Sequence, residues 1–319
     1  KEAWLHATEV FMKEPVVYLS GEWVPASQAA IPIYDKGIVL GATVTEMTRT
    51  YNQELFRLED HLDRLYASLA YTDIDPGLGK PEMAQVSRDL VAENRQGLGP
   101  GEELGLIHFV TAGKVPLYAG RPLTEDENCP TVCIHTFPLD CTLYAGAMQY
   151  GYHLITPSIR HIPPQCLDPK IKYRSRLHWH LADRETHLVD SKATSLLLDL
   201  EGNITECSGA NILVCKAGTI YSPTLRNILP GVSRKIVIEI AEKLKIPFEE
   251  RELQVYDVIN ADEALLCSTP FGICPATRVN GLSIGSGEPG LLWKALAEAW
   301  SDLVGFDIVA QVLKAPQNA

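Results

Sequence analysis

From Val16 to Pro25 the run Val-Val-Tyr-Leu-Ser-Gly-Glu-Trp-Val-Pro alternates apolar and polar positions, which predicts a tight hairpin opening at Gly21. Thr43 to Thr50 alternates as well. It leads through Tyr51-Asn52-Gln53-Glu54 into Leu55-Phe56-Arg57-Leu58, a second hairpin with Arg57 on or at the end of its return strand. The period then changes. Between Glu59 and Tyr71, Leu62, Leu65, Tyr66 and Leu69 recur at the three-and-four spacing of a buried helical face, with Glu59, Asp60, Asp63 and Arg64 on the other side. A further helix between Pro81 and Asn94, with strands at Leu106 to Thr111 and Thr131 to Phe137, completes an α+β unit. Residues 138–149 have no clear period and read as a connector.

The second half is richer in hairpins. Leu196 to Leu200 turns at Glu201-Gly202-Asn203, and Asn211 to Cys215 turns at Ala217-Gly218. Two helices stand out. One runs from Val232 to Leu244 with Val232, Ile236, Ile240 and Leu244 on a stripe; the other, near Gly290 to Val304, carries Leu291, Leu292, Leu296 and Trp300. No fixed-period repeat is present, which excludes a solenoid. A chain of 319 residues exceeds the usual size of one hydrophobic core, so two domains are expected, residues 1–137 and 150–319, with a cleft available between them.

Composition narrows the function. Hydrophobic residues make up 46% and charged residues 21%, as in ordinary globular proteins, and a net charge of -12 without a Lys/Arg stripe argues against a nucleic-acid partner. The eight cysteines show no Cys-x-x-Cys pair and read as reduced, mostly buried thiols rather than a zinc site. Lys1-Glu2-Ala3-Trp4 is soon followed by more charge, unlike a secretory leader, and apolar runs such as Ser195 to Leu198 are far shorter than the ~20 residues of a membrane helix. A soluble, cytoplasmic protein is expected.

Three short stretches carry candidate chemistry. In Asp168-Pro169-Lys170-Ile171-Lys172-Tyr173, a strand leading into a helix would put Lys170 and Lys172 on one side, and a buried amine there would attack an aldehyde. Two surface lysines would read the same way. Leu229-Pro230-Gly231-Val232-Ser233-Arg234 opens a helix whose free N–H groups, close-approach glycine and serine hydroxyl suit a phosphate, or form an ordinary first turn. Glu206, in Ile204-Thr205-Glu206-Cys207-Ser208-Gly209, is either a solvated hairpin residue or an inward carboxylate able to keep a heteroaromatic nitrogen protonated. His178 and His180 would point about 200° apart on a helix, which speaks against a metal site.

Taken in order, these pieces resemble the class IV pyridoxal-phosphate aminotransferases, the family of branched-chain and D-amino-acid aminotransferases and aminodeoxychorismate lyase. The resemblance spans roughly Tyr34 to Gly281. Its landmarks are Asp35-Lys36-Gly37 with Gly41 and Glu46, the run from Phe56 to Leu65, the lysine segment, Glu201 to Glu206 with Asn211, Ile228 to Arg234, and Ser268-Thr269-Pro270 with Pro275. The helix after the family's lysine matches Leu181-Ala182 and Glu185, which puts the Schiff base with pyridoxal 5'-phosphate on Lys172. Lys170 is two residues out of step.

The resemblance implies that Arg57 grips the cofactor phosphate in a bidentate manner, with Val232, Ser233 and Thr269 adding contacts, and that Glu206 pairs with the ring nitrogen. It also implies a substrate pocket at Thr45, Thr111 and Ala112. There Thr45 replaces an aromatic wall, and Ala112 stands where D-amino-acid enzymes have an Arg. Arg176-Leu177 is similar to the lyase branch. The fold expected is α/β (α+β), with an N-terminal α+β sandwich and a C-terminal pseudo-barrel that carries the lysine, the cofactor lying between them. The reaction implied is transamination between a small amino acid or amine and a keto acid, in a homodimer. A pyruvate-releasing lyase of the aminodeoxychorismate type, or a non-catalytic binding protein on the same fold, are the alternatives.

Overall fold

A computed structural model of the protein describes residues 14–99 and 101–313; the opening Lys1 to Trp4 stretch lies outside them. The chain divides into two compact units, one of residues up to Asp140 together with Ile171–Ser175, the other of Cys141–Lys170 and the residues from Arg176 onward.

In the first unit β1 (Val16–Leu19) and β2 (Glu22–Pro25) form the expected opening hairpin. With β3 (Thr43–Tyr51), β4 (Glu54–Leu55), β5 (Leu104–Thr111) and β6 (Val132–Pro138) they make a six-stranded sheet in the order β2-β1-β6-β5-β3-β4. Every pairing in it is antiparallel. Alternation along β5 buries Leu104, Leu106, His108 and Val110 on the face covered by helices Leu58–Tyr71 and Lys80–Asn94. Leu62, Leu65 and Leu69 of the first helix lie in this core as their spacing predicts, while Tyr66 is half-buried.

Arg57 is not on a strand. β4 is only two residues long, and Leu58, 2% exposed, already starts the helix, so Arg57 becomes its N-cap with a φ of 55°. The stretch read as a connector is ordered as well: it contains a 3-10 turn (Cys141–Tyr144) and a helical turn and a half (Ala145–Tyr150), anchored by buried Cys141 and Met148.

The second unit contains β7 (Tyr152–Ile155), β8 (Thr194–Leu198), β9 (Ile204–Cys207), β10 (Ala210–Lys216), β11 (Thr219–Ser222), β12 (Phe248–Glu250), β13 (Glu263–Ser268), β14 (Gly272–Val279) and β15 (Leu282–Ser283). Their order is β12-β11-β10-β13-β14-β7-β8-β9, and β9 also pairs with β10, so six strands close on themselves as a pseudo-barrel. Helix Val232–Leu244 packs on β13 through Val232, Ile236 and Ile240, whereas Leu244, in its last turn, is 40% exposed. Helix Leu291–Val304 buries Trp293, Leu296 and Trp300, and Leu291 is exposed. Leu291 is nine residues from Trp300, half a turn out of phase at 100° per residue. No helix of the described residues is long and apolar enough to cross a membrane. Six cysteines are buried, and Cys129 and Cys166 are exposed.

Candidate active site

The lysine segment is extended and is followed by a helix, Leu177–Val189, as expected, though it forms an isolated bridge and no full strand. It lies extended along the open edge of β3, where Val44 bridges Tyr173 in antiparallel fashion. The Thr45 N–H donates to the Lys172 carbonyl at 2.8 Å, the Arg174 N–H to the Thr43 carbonyl at 3.0 Å, and the Ser175 hydroxyl to the Gly41 carbonyl at 2.6 Å. Gly41 permits this approach: its φ is +67°, and a Cβ there would stand 2.9 Å from Ser175 Oγ. The Lys172 N–H donates to Ser68 Oγ at 3.3 Å, so this residue is held from two elements. Lys170 does not share its setting. It is exposed in a turn and ion-paired with Asp168 at 3.2 Å, while Lys172 is half-buried.

Below the same strand lies a charged cluster that periodicity does not reveal. Glu46, 0% exposed, receives Arg64 through Nε (2.8 Å) and Nη2 (2.7 Å), His61 through Nδ1 (3.0 Å) and the Met47 N–H (2.8 Å). Burial raises the Glu46 carboxyl, but Arg64 and His61 outweigh it and hold it well below the carboxylate range. Burial lowers His61, Glu46 opposes that, and the charges of Arg64 and Lys172 add to the lowering. Arg64 therefore points into the unit, although helical spacing put it on the solvent side. Its side chain is only 9% exposed.

Thr45, Thr111 and Ala112 lie on or just beyond the paired strands β3 and β5, with Thr45 opposite Phe109 and Thr111 opposite Thr43. Their polar groups are engaged: the Thr45 hydroxyl donates to the His108 carbonyl (2.9 Å), the Thr111 hydroxyl to buried Asp35 (3.0 Å), and the Ala112 N–H to the Ala42 carbonyl (3.1 Å). Arg57, half-buried at the same unit's helix start, has Nη1 at 3.3 Å from Asp60.

In the second unit, Glu206 pairs with Asn211 across β9 and β10, and Asn211 with Cys267 across β10 and β13, two residues before Thr269. Glu206 Oε2 accepts from the Leu229 N–H at 3.2 Å and from Asn211 Nδ2 at 3.5 Å, and Asn211 Nδ2 also donates to the Leu229 carbonyl at 3.0 Å. Asn211 thus ties the carboxylate to the entry of helix Val232–Leu244. That helix starts from Gly231, whose lack of a side chain leaves the first N–H groups without a capping acceptor. A Cβ on Gly231 would fall 2.0 Å from Asn211 Oδ1. Val232 and Ser233 are buried in the first turn. A carboxylate fixed beside an uncapped helix start, in a cradle that a methyl group would fill, fits a heteroaromatic phosphate ester.

The model of the class IV aminotransferase family matches residues 43–279. The chain belongs to the class IV aminotransferases. A D-alanine aminotransferase of Bacillus licheniformis is 31% identical over 286 residues, 89% of this chain and 95% of that protein. A putative branched-chain-amino-acid aminotransferase of Methanocaldococcus jannaschii is 29% identical over 290 residues, 90% and 96% of the two chains. The fold is that of the Escherichia coli branched-chain amino acid aminotransferase, with a TM-score of 0.83 at 24% identity over 92% of this chain and 95% of that one. Class IV aminotransferases use pyridoxal phosphate and act on amino and keto acids, so this protein is an enzyme and not a binding module on an enzyme fold.

Proposed function

We propose that this aminotransferase holds pyridoxal 5'-phosphate with Lys172, Arg57, Glu206, Val232, Ser233 and Thr269, and moves an amino group from a small amino acid or amine to a keto acid. The observation that carries the reading is the Asn211 tie, which fixes Glu206 beside the uncapped start of helix Val232–Leu244. When bound, the cofactor supplies an aldehyde for the amino group and an electron-withdrawing ring. The first-turn N–H groups, the Ser233 hydroxyl, Thr269 and the Arg57 guanidinium bind its phosphate. Glu206 holds a proton on its ring nitrogen. Lys172 presents the amine and carries the proton removed from the donor's α-carbon.

Thr45, Thr111 and Ala112 bound the donor side chain by shape, because their hydroxyls and N–H are already bonded within the unit. We place the enzyme in the cytoplasm, where its six buried thiols remain reduced, and as a homodimer, for which exposed Ile33, Ile38, Leu40, Leu117 and Tyr118 supply apolar surface. The test is a panel of L- and D-amino acids and amines given to the loaded enzyme without an acceptor. Transamination predicts about one keto product per active site, with turnover resuming only when a keto acid is added. Repeated pyruvate release without an acceptor would instead make the protein a lyase.

A further inference from the structure

One buried side chain that the proposed mechanism does not use faces the carboxylate on which that mechanism depends. His161 is 4% exposed and lies in the stretch after β7, where its N–H donates to the Leu198 carbonyl at 2.9 Å. Its ring Nδ1 is 3.0 Å from the Ile162 carbonyl oxygen, and Nε2 is 3.5 Å from Glu206 Oε1. Neither a carbonyl nor an ionised carboxylate donates, so Nδ1–H serves the Ile162 carbonyl, and Nε2 faces the Glu206 carboxylate at ion-pair distance.

The surroundings leave His161 alone in this role. Its ring meets those of His178 and Trp179 edge-on, each at 6.0 Å between centroids. Burial first, and then the neighbouring His161 and Arg176, push His178 down to about 4, so His178 stays neutral and brings no competing charge. The donors on the other oxygen of Glu206, the Leu229 N–H and Asn211 Nδ2, are uncharged.

We propose that His161 is a positioning residue that holds Oε1 of Glu206 by a charge-assisted contact, and so sets how firmly that carboxylate keeps the cofactor's ring nitrogen protonated. This rests on the function proposed above. Sequence reading passed over His161, because a single histidine in an irregular stretch has no period and no partner nearby in the chain.

The first test needs no turnover. In the full-length chain with isotope-labelled histidine, stripped of cofactor and again saturated with pyridoxal phosphate, the His161 ring is titrated by NMR and assigned by its absence from His161→Gln. In the stripped chain, Glu206→Gln should lower its titration midpoint, because it removes an opposite charge 3.5 Å from Nε2. An unmoved midpoint overturns the proposal. Second, the absorbance-against-pH profile of the bound cofactor should shift in His161→Phe and return toward the wild-type profile in His161→Gln, whose amide keeps a donor. Profiles identical in all three proteins also overturn it. If His161→Phe does not fold, the NMR comparison decides. Borohydride labelling of Lys172 in the same samples separates the two claims: its absence defeats the proposed function, whereas an unmoved His161 with Lys172 labelled defeats only this inference.

Discussion

Glu46 and His108 on one sheet face, and His61 on the helix that covers it, are closed to water, and each makes the first unit sensitive to acid in the same direction. His108 makes the case most clearly. The Ser87 hydroxyl donates to the Met83 carbonyl at 2.7 Å, so His108 Nε2, 2.7 Å from Ser87 Oγ, must be the donor, and Nδ1 is buried without a partner. Burial pushes the His108 ring down to about 4. As pH falls from the ordinary histidine value near 6.5 towards 4, the unfolded chain takes up a proton that folded His108 refuses, and stability falls. Lowered His61 adds to this loss. Glu46 extends it further: its depressed pKa contributes stability above the unfolded carboxylate value, and that contribution is lost as pH drops through the folded one. For His108 the full effect is on the order of 3 kcal/mol. Denaturant midpoints measured from pH 7 to pH 4 should fall less steeply in His108→Gln than in the wild type, and parallel slopes would contradict this reading. None of it was legible beforehand. Periodicity counts apolar positions, and an ion cluster under a helix leaves the count unchanged; Glu46 and Arg64 could be seen only as landmarks of a resemblance.

At the scale of elements, hairpins and amphipathic helices were readable because their determinants are local. The turns at Gly21, Gly202 and Ala217-Gly218 and the helix from Val232 to Leu244 fall where period and turn chemistry put them. Of the lysine segment the extended form was readable and its partner was not, because that partner is β3, more than a hundred residues earlier. In the last long helix the expected phase holds through half-buried Leu292 and buried Leu296 and Trp300, and only Leu291, at the first position, falls off that face. Gly231 is where an element's conformation and the proposed phosphate site coincide. Gly231→Ala would drive a methyl group into Asn211 and detach Glu206 from the helix entry. Overpacking of this kind costs about 1–3 kcal/mol. Gly231→Ala should therefore unfold at lower denaturant and release pyridoxal phosphate more readily, whereas Gly146→Ala, with open space at its Cβ, should do neither. Equal cofactor retention in the two variants would remove Gly231 from the site.

For the whole molecule, the two-domain α/β class was legible from length and from the order of the elements. The closure of the pseudo-barrel was not, since it depends on non-local pairings such as parallel Leu154 beside Val279 and antiparallel Asn211 beside Cys267. The division of the chain also differs from the linear one that was expected. Ile171–Ser175 clusters with the residues before Asp140, so the proposed catalytic lysine belongs to the first unit while Glu206 and helix Val232–Leu244 belong to the second. The proposed chemistry therefore rests on Lys172 carrying the cofactor. Borohydride reduction of the pyridoxal-phosphate-loaded protein, followed by proteolysis and peptide mapping, tests this directly. A pyridoxyl group is expected on Lys172 with Lys170 unmodified; a label on Lys170, or on neither lysine, would contradict the proposed role of Lys172.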